Sequence, residues 1–400
     1  MIIEKQTKFK TTYLSVKFKE ELTIENIGFR ALLPSLIKTK SKTHPNRKAL
    51  QEALNDLYGA KLSVKTSKIG LVSIIDFSIS FINPDFSSEP LFFEAVKLLH
   101  EVIYQPNLPK ADFEIEKRML VEKIKAFEND KTSYAVQRLF EEMFKEERYG
   151  LSVQGKVDDV LKITYQDLNK YYKQMLKTNS IDVVISGQVS EQETELLKEY
   201  FKEGKTNLTV IDRENKEIKE FKEITEYDTI SQSKVNLGYR LPIRIDDPLQ
   251  QAATLFNVAL GGGIHSRLFL NVREKHSLCY YISSSYDALK GFLFIYSGID
   301  KERVSLALKV VDEQILDLQT NKLSEEELFL SKQTLINRLK EAEDAQVQSV
   351  EAKYSRALVN NTKSLEERIE LIMKVTPEEV LEAAKLLQKD TLYILAPEVK

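Results

Sequence analysis

Two side chains in the stretch "REKHSLCY" (273–280), Arg273 and Tyr280, could act on a substrate together. A guanidinium and a phenol are both hydrogen-bond donors. Two donors converging on one point suit an oxygen that gains negative charge during a reaction. The competing reading is structural: Arg273 pairs with a nearby glutamate and Tyr280 packs in a sheet. The residue types and their spacing leave both readings open.

Other chemistry is poorly supplied. The four histidines are His44, His100, His265 and His276, and no two have the spacing that puts both imidazoles on one helix face for a metal. His100 is followed by Glu101, but Tyr104 stands where H-E-x-x-H needs its second histidine, so His100 reads as a helix-end residue. Cys279 sits between Leu278 and Tyr280 in a strand pattern with no histidine placed to activate it, and reads as a buried structural thiol. No G-x-S-x-G elbow occurs. Gly261, Gly262 and Gly263 follow a helical pattern rather than a strand, and match neither G-x-G-x-x-G nor G-x-x-x-x-G-K-[ST]. They read as the end of one helix and the start of the next.

Positioning Arg273 and Tyr280 requires a helix over "SRLFLNVREK", a tight turn at Lys275–Ser277, and a strand returning beside the helix end. Comparable strand patterns occur at 9–18, 60–67, 72–82 and 180–187, separated by amphipathic helices such as "NRKALQEALNDLYG" (46–59) with Gly59 as its stop. The pattern then repeats. A shift of 218 positions (277 − 59) lays "GAKLSVKTSKIGLVSIIDFSIS" over "SLCYYISSSYDALKGFLFIYSG", and "YAVQRLF" (134–140) over "AKYSRAL" (352–358). Several overlaps in one order indicate an internal duplication. The expected class is α+β: two duplicated halves, each an antiparallel sheet with helices packed on one face, which can face one another across an enclosed space. The boundaries read as 1–204 for the N-terminal half, 205–228 for a polar linker and 229–400 for the C-terminal half.

Lys+Arg and Asp+Glu nearly cancel at 58 and 61, which favours neither nucleic acid nor an acidic membrane as partner. No apolar run has the length of a signal peptide or a bilayer span. A single cysteine excludes an internal disulfide framework and fits a reducing cytoplasm.

The run "LGGGIHSRLFLNVREKHSLCYYISSSYDALKGFLFIYSGID" (260–300) resembles the C-terminal half of the pitrilysin/insulinase-type zinc metallopeptidases, which include the mitochondrial processing peptidase subunits. The likeness rests on Gly261–Gly263, Ser266, Arg267, Leu268, Arg273, Glu274, Leu278 and Tyr280, and the duplication extends it over the chain. It implies two α+β halves that pair as a clamshell around a substrate chamber. Active members of such a family carry H-x-x-E-H on an early helix. Here Ala31, Leu32, Leu33, Pro34 and Ser35 hold that place, and Glu122 falls about where a third ligand would lie. No metal residue is therefore assigned, and no cofactor is expected on this chain. Zinc is expected in a partner, a homologous subunit carrying H-x-x-E-H, with an unfolded peptide as substrate. "YGAKLSVKTSKIG" and "ENDKTSYAVQRLFEEMF" look like the zinc-free member of a bacterial pair. The resemblance makes Arg273 and Tyr280 the catalytic contribution of a subunit that is inactive alone. The alternative is an inert structural or peptide-binding pseudopeptidase, able to form a homodimer in isolation.

Overall fold

The protein is represented by a computed structural model that describes residues 1–400 apart from positions 88, 203, 205, 206, 215, 219, 399 and 400. The chain forms two compact units. One comprises Met1–Ala126, Leu151–Val210 and Asp344–Asn360, and the other Phe127–Gly150, Ile211–Glu343 and Asn361–Lys400. Among the described residues, no helix is long and apolar enough to cross a membrane.

The first unit is built on five strands: β1 (Ile2–Lys5), β2 (Thr11–Glu21), β3 (Lys61–Ile69), β4 (Val72–Ile82) and β5 (Ser180–Gly187). Their order across the sheet is β1-β5-β2-β4-β3. All neighbours are antiparallel except β1 and β5. The exception follows from connectivity. The chain reverses between β1 and β2, but β5 inserts between them, so antiparallel pairing with β2 leaves it parallel to β1.

Alternation along the strands decides what each face does. Leu14, Val16 and Phe18 of β2, with Ile75, Phe77 and Ile79 of β4, enter the main core with leucines of the helix Ile24–Ile37. Each fully buried side chain of this kind contributes roughly 1.5–3 kcal/mol. The opposite face carries Tyr13, Ser15, Lys17 and Asp76, and is also buried. It lies under the helix Gln346–Ala357, whose Val350 and Tyr354 pack on Tyr13, Val72, Ile74 and Val184. The charges there are paired. Lys17 Nζ lies 3.2 Å from Asp76 Oδ2 and 2.8 Å from Glu351 Oε1.

The second unit repeats the plan with β6 (Lys222–Asp228), β7 (Ser233–Arg240), β8 (Cys279–Asp287), β9 (Phe292–Ile299) and β10 (Gln388–Pro397). Its order, β6-β10-β7-β9-β8, is the first order with five added to every strand number, and its edge strand β6 is again the parallel one. Val235, Leu237 and Tyr239 of β7 join the helices Gln250–Gly261 and Val304–Thr320 in one core. On the other face lies the helix Lys131–Met143, with Ala135 and Leu139 against Tyr393 and Leu395.

Each unit therefore borrows one helix from the other half of the sequence. The two borrowed helices include the stretches matched by the 218-residue shift, with Arg138 and Arg356 at corresponding positions. The compact units thus cut across the sequence halves. Strand β6 also falls inside 205–228, the stretch read as a linker. It is a half-exposed edge strand with little apolar content, so its alternation is faint. Positions 205, 206, 215 and 219 of that stretch lie outside the described residues.

Candidate functional site

Arg273 lies in the helix Leu268–Lys275, which has π-type winding and is anchored by buried Leu268 and Val272. The helix ends in a tight reversal. His276 N–H donates to Asn271 O at 3.3 Å, and Leu278 N–H donates to Val272 O at 3.0 Å. Ser277 takes a φ of +49°, the left-handed conformation that lets the chain turn back. Its carbonyl accepts a 2.7 Å hydrogen bond from Arg303, which ties the turn to the next helix. The turn expected at Lys275–Ser277 is present, and β8 begins two residues after it.

Tyr280 owes its exposure to a bulge. Cys279 pairs with Ile299 and Tyr281 with Gly298, so two steps on β8 oppose one on β9, and Tyr280 is the extra residue. Strand β8 is also the sheet edge. The phenol is 59% exposed and, among the described residues, has no hydrogen-bond partner. Gly298 makes room opposite: a Cβ there would come within 2.6 Å of the Tyr281 ring. The structural alternative for Tyr280, packing within the sheet, is not what the bulge produces.

Arg273 is partly engaged. Its guanidinium lies 4.7 Å from the centre of the Phe269 ring, and its Nε lies 3.8 Å from Glu274. An ion pair this long and exposed holds a side chain weakly. Burial pushes the Cys279 thiol up, while a hydrogen bond to Ser297 and the Arg273 charge work against that. The Arg273 charge thus acts at the residue next to Tyr280. Buried Cys279 itself offers no reactive thiolate.

The residues around the pair serve the scaffold. Ser266 Oγ donates to Gly263 O at 2.6 Å, and Arg267 bridges Glu327 and Asp317 on two other helices. Gly261 is required by close approach, since a Cβ would meet the Ser284 backbone N at 2.7 Å. The glycine carbonyls are held by side chains, Gly261 O by Ser283 and Gly262 O by Arg338. The Gly262 N–H is committed to Val258 O at 3.1 Å. A phosphate cradle needs free amides, and this turn does not offer that arrangement.

The place of the zinc motif is filled by core. Leu32 and Leu33 are fully buried in the helix Ile24–Ile37, Pro34 lies inside it, and the Ser35 hydroxyl donates to Leu32 O. Glu122 lies on the surface and faces Lys125 at 3.9 Å. Among the described residues, no group of three or more His, Cys, Asp and Glu could hold a metal ion. These residues do not fit a zinc site. His100 packs its ring on Tyr104, Tyr200 and Phe201, and burial pulls its pKa down. Glu101, read from the sequence only as part of an incomplete motif, instead meets His44, Ser41 and Thr43. These three are remote in sequence from Glu101, so no local spacing announces the cluster.

The comparisons with known proteins agree with this chemistry. The peptidase M16 inactive domain family matches residues 162–335. The probable inactive metalloprotease YmfF of Bacillus subtilis is 33% identical over 402 residues, which covers 98% of this chain and 94% of that protein. The crystal structure of a conserved protein from Enterococcus faecalis V583 superposes with a TM-score of 0.92 at 31% identity, over 100% of this chain and 96% of that one. The peptidase M16 inactive domain from Pseudomonas fluorescens shares the fold at a TM-score of 0.83 and 18% identity, over 99% of this chain and 95% of that one. With a duplicated α+β fold and core leucines in place of zinc ligands, the chain belongs to the peptidase M16 family, on its inactive side.

Proposed function

We propose that the chain is the zinc-free subunit of a two-chain metallopeptidase and supplies Tyr280 and Arg273 to the reaction. The observation that carries this reading is an exposed phenol, without a hydrogen-bond partner among the described residues, on a bulge next to Cys279, where the Arg273 charge acts, in a chain whose own zinc-motif position is core. The partner is a homologous subunit with H-x-x-E-H, whose zinc activates the attacking water. The contribution of this chain is electrostatic. Tyr280 donates its hydroxyl proton in a hydrogen bond to the scissile carbonyl oxygen as that oxygen becomes an oxyanion. Arg273 adds positive charge close by. In this reading the fixed backbone of the bulge holds the Tyr280 donor, which limits the reorganisation needed as charge develops. The substrate class is an extended, unfolded peptide, and the single cysteine fits work in the reducing cytoplasm.

Reconstitution with a zinc-bearing M16 chain from the same source tests this reading. Tyr280→Phe should assemble normally and lose about a hundredfold or more in kcat on an unfolded peptide. A second reading, an inert peptide-binding subunit, is favoured by the engagement of Arg273 with Phe269 and Glu274. Full activity of the assembled Tyr280→Phe variant would select it.

A further inference from the structure

The polar face of the first sheet borders a cavity that the catalytic reading does not use. Its volume is about 460 Å³, and its lining residues all belong to the first unit. The sheet contributes Lys19 of β2, Val72 of β4 and Asp182 of β5. The end of the helix Gln346–Ala357 contributes Tyr354 and Ala357, followed by Leu358. The segment 207–210 completes the lining, and the Leu71 N–H holds it by donating to Val210 O at 3.0 Å.

The lining contains an ion pair with open positions on both partners. Lys19 Nζ lies 2.5 Å from Asp182 Oδ2, and the Lys19 side chain is only 10% exposed. The Tyr354 hydroxyl donates to the same oxygen at 3.0 Å. Burial and the Asp182 charge push the Tyr354 phenol up, so it keeps this proton. An ammonium carries three protons, yet Lys19 has no polar partner but Asp182 among the described residues. Asp182 Oδ1 likewise accepts no hydrogen bond among them. Donors on an enclosed ammonium are costly to leave unused. The pair therefore presents spare donors next to a spare acceptor.

The surroundings are aliphatic. Val72, Val210 and Tyr354 belong to one apolar cluster, and Ile2, Leu208 and Leu358 pack against it. A complementary ligand has a carboxylate for Lys19, an adjacent ammonium for Asp182, and an alkyl side chain. A free α-amino acid has these parts on one carbon, whereas a peptide carries the two charges at opposite ends. The volume also falls within the roughly 300–1,000 Å³ of small-molecule sites. We propose that this cavity binds a free aliphatic α-amino acid such as leucine, with its carboxylate on Lys19, its ammonium on Asp182 and its side chain against Val72, Leu208 and Leu358. The site does not depend on Arg273 or Tyr280.

The full chain should be titrated calorimetrically with L-leucine, with 4-methylpentanoate, which lacks the ammonium, and with 3-methylbutylamine, which lacks the carboxylate. Leucine is expected to bind and to raise the melting temperature as its concentration rises. Each analogue should bind about tenfold or more weakly, the loss of one charge-assisted hydrogen bond. Lys19→Met with Asp182→Leu removes both charges together, so neither is stranded, and should abolish leucine binding with the circular dichroism spectrum unchanged. Ala357→Leu, at a half-buried position, should occupy part of the cavity and weaken leucine binding about tenfold. No leucine binding to the wild type, equal binding of either analogue, or unchanged binding by the folded Ala357→Leu variant would each overturn the proposal.

Discussion

Tyr280 is exposed and Lys17 is buried, and they should respond differently to mutation. The Tyr280 hydroxyl meets only solvent among the described residues. Tyr280→Phe should therefore leave folding stability within about 0.5 kcal/mol of wild type by denaturant titration, which separates any loss of activity from loss of fold. Lys17 is enclosed, with Asp76 and Glu351 as its counter-charges. Asp76→Ala leaves the buried ammonium with Glu351 as its remaining counter-charge and should cost about 3 kcal/mol in the same titration, whereas Lys17→Met with Asp76→Leu should recover much of that. Glu226 sets an acid limit. Burial pushes its carboxyl up, but hydrogen bonds from Arg138, Tyr393 and Tyr134 outweigh burial and hold it below the ordinary value of 4.5. A depressed folded-state pKa gives stability that is fully present above about 4.5 and lost as pH falls through the folded value. Glu226→Gln should flatten the decline of melting temperature below that pH, and an unchanged slope would exclude this carboxylate as its source.

At the scale of elements, the borrowed helices make each sheet depend on both halves of the sequence. Without Gln346–Ala357, the polar face of the first sheet would expose Tyr13, Val72, Ile74 and Lys17. Residues 1–204 and 205–400 expressed separately should each unfold without a cooperative transition, and co-expression should restore one. A cooperative transition from either fragment alone would contradict this dependence. Gly261→Ala pushes a methyl group against the Ser284 backbone and should cost about 1–3 kcal/mol while shifting β8, and so Tyr280, without touching substrate. Much of this level was legible in the sequence. Alternating apolar residues in β2 and β4, the repeat, and the turn before β8 all leave local signatures. The exchange of helices does not, because helical periodicity says which face is buried but not which sheet buries it. Gln346–Ala357 is especially opaque, since Gln346 and Glu351 make many of its contacts through polar atoms. Strand β6 escaped for a similar reason, its apolar positions being few. The seven-residue spacing of Arg273 and Tyr280 could be read directly. The bulge at Tyr280 could not, because it shows only in how β8 pairs with Ile299 and Gly298 of β9.

For the molecule as a whole, the duplicated M16 fold persists while the zinc-motif position has become core. A fold kept without its metal chemistry can still contribute half of a reaction, provided the retained donors face a partner's metal. Such a division of labour predicts that the chain alone cleaves nothing and gains activity only with a zinc-bearing M16 subunit. The most direct test is steady-state kinetics of the reconstituted pair on an unfolded peptide, comparing wild type with Tyr280→Phe at equal assembly. The account predicts a fall of about a hundredfold or more in kcat with little change in KM. A Tyr280→Phe pair that assembles and turns over at the wild-type rate would contradict it.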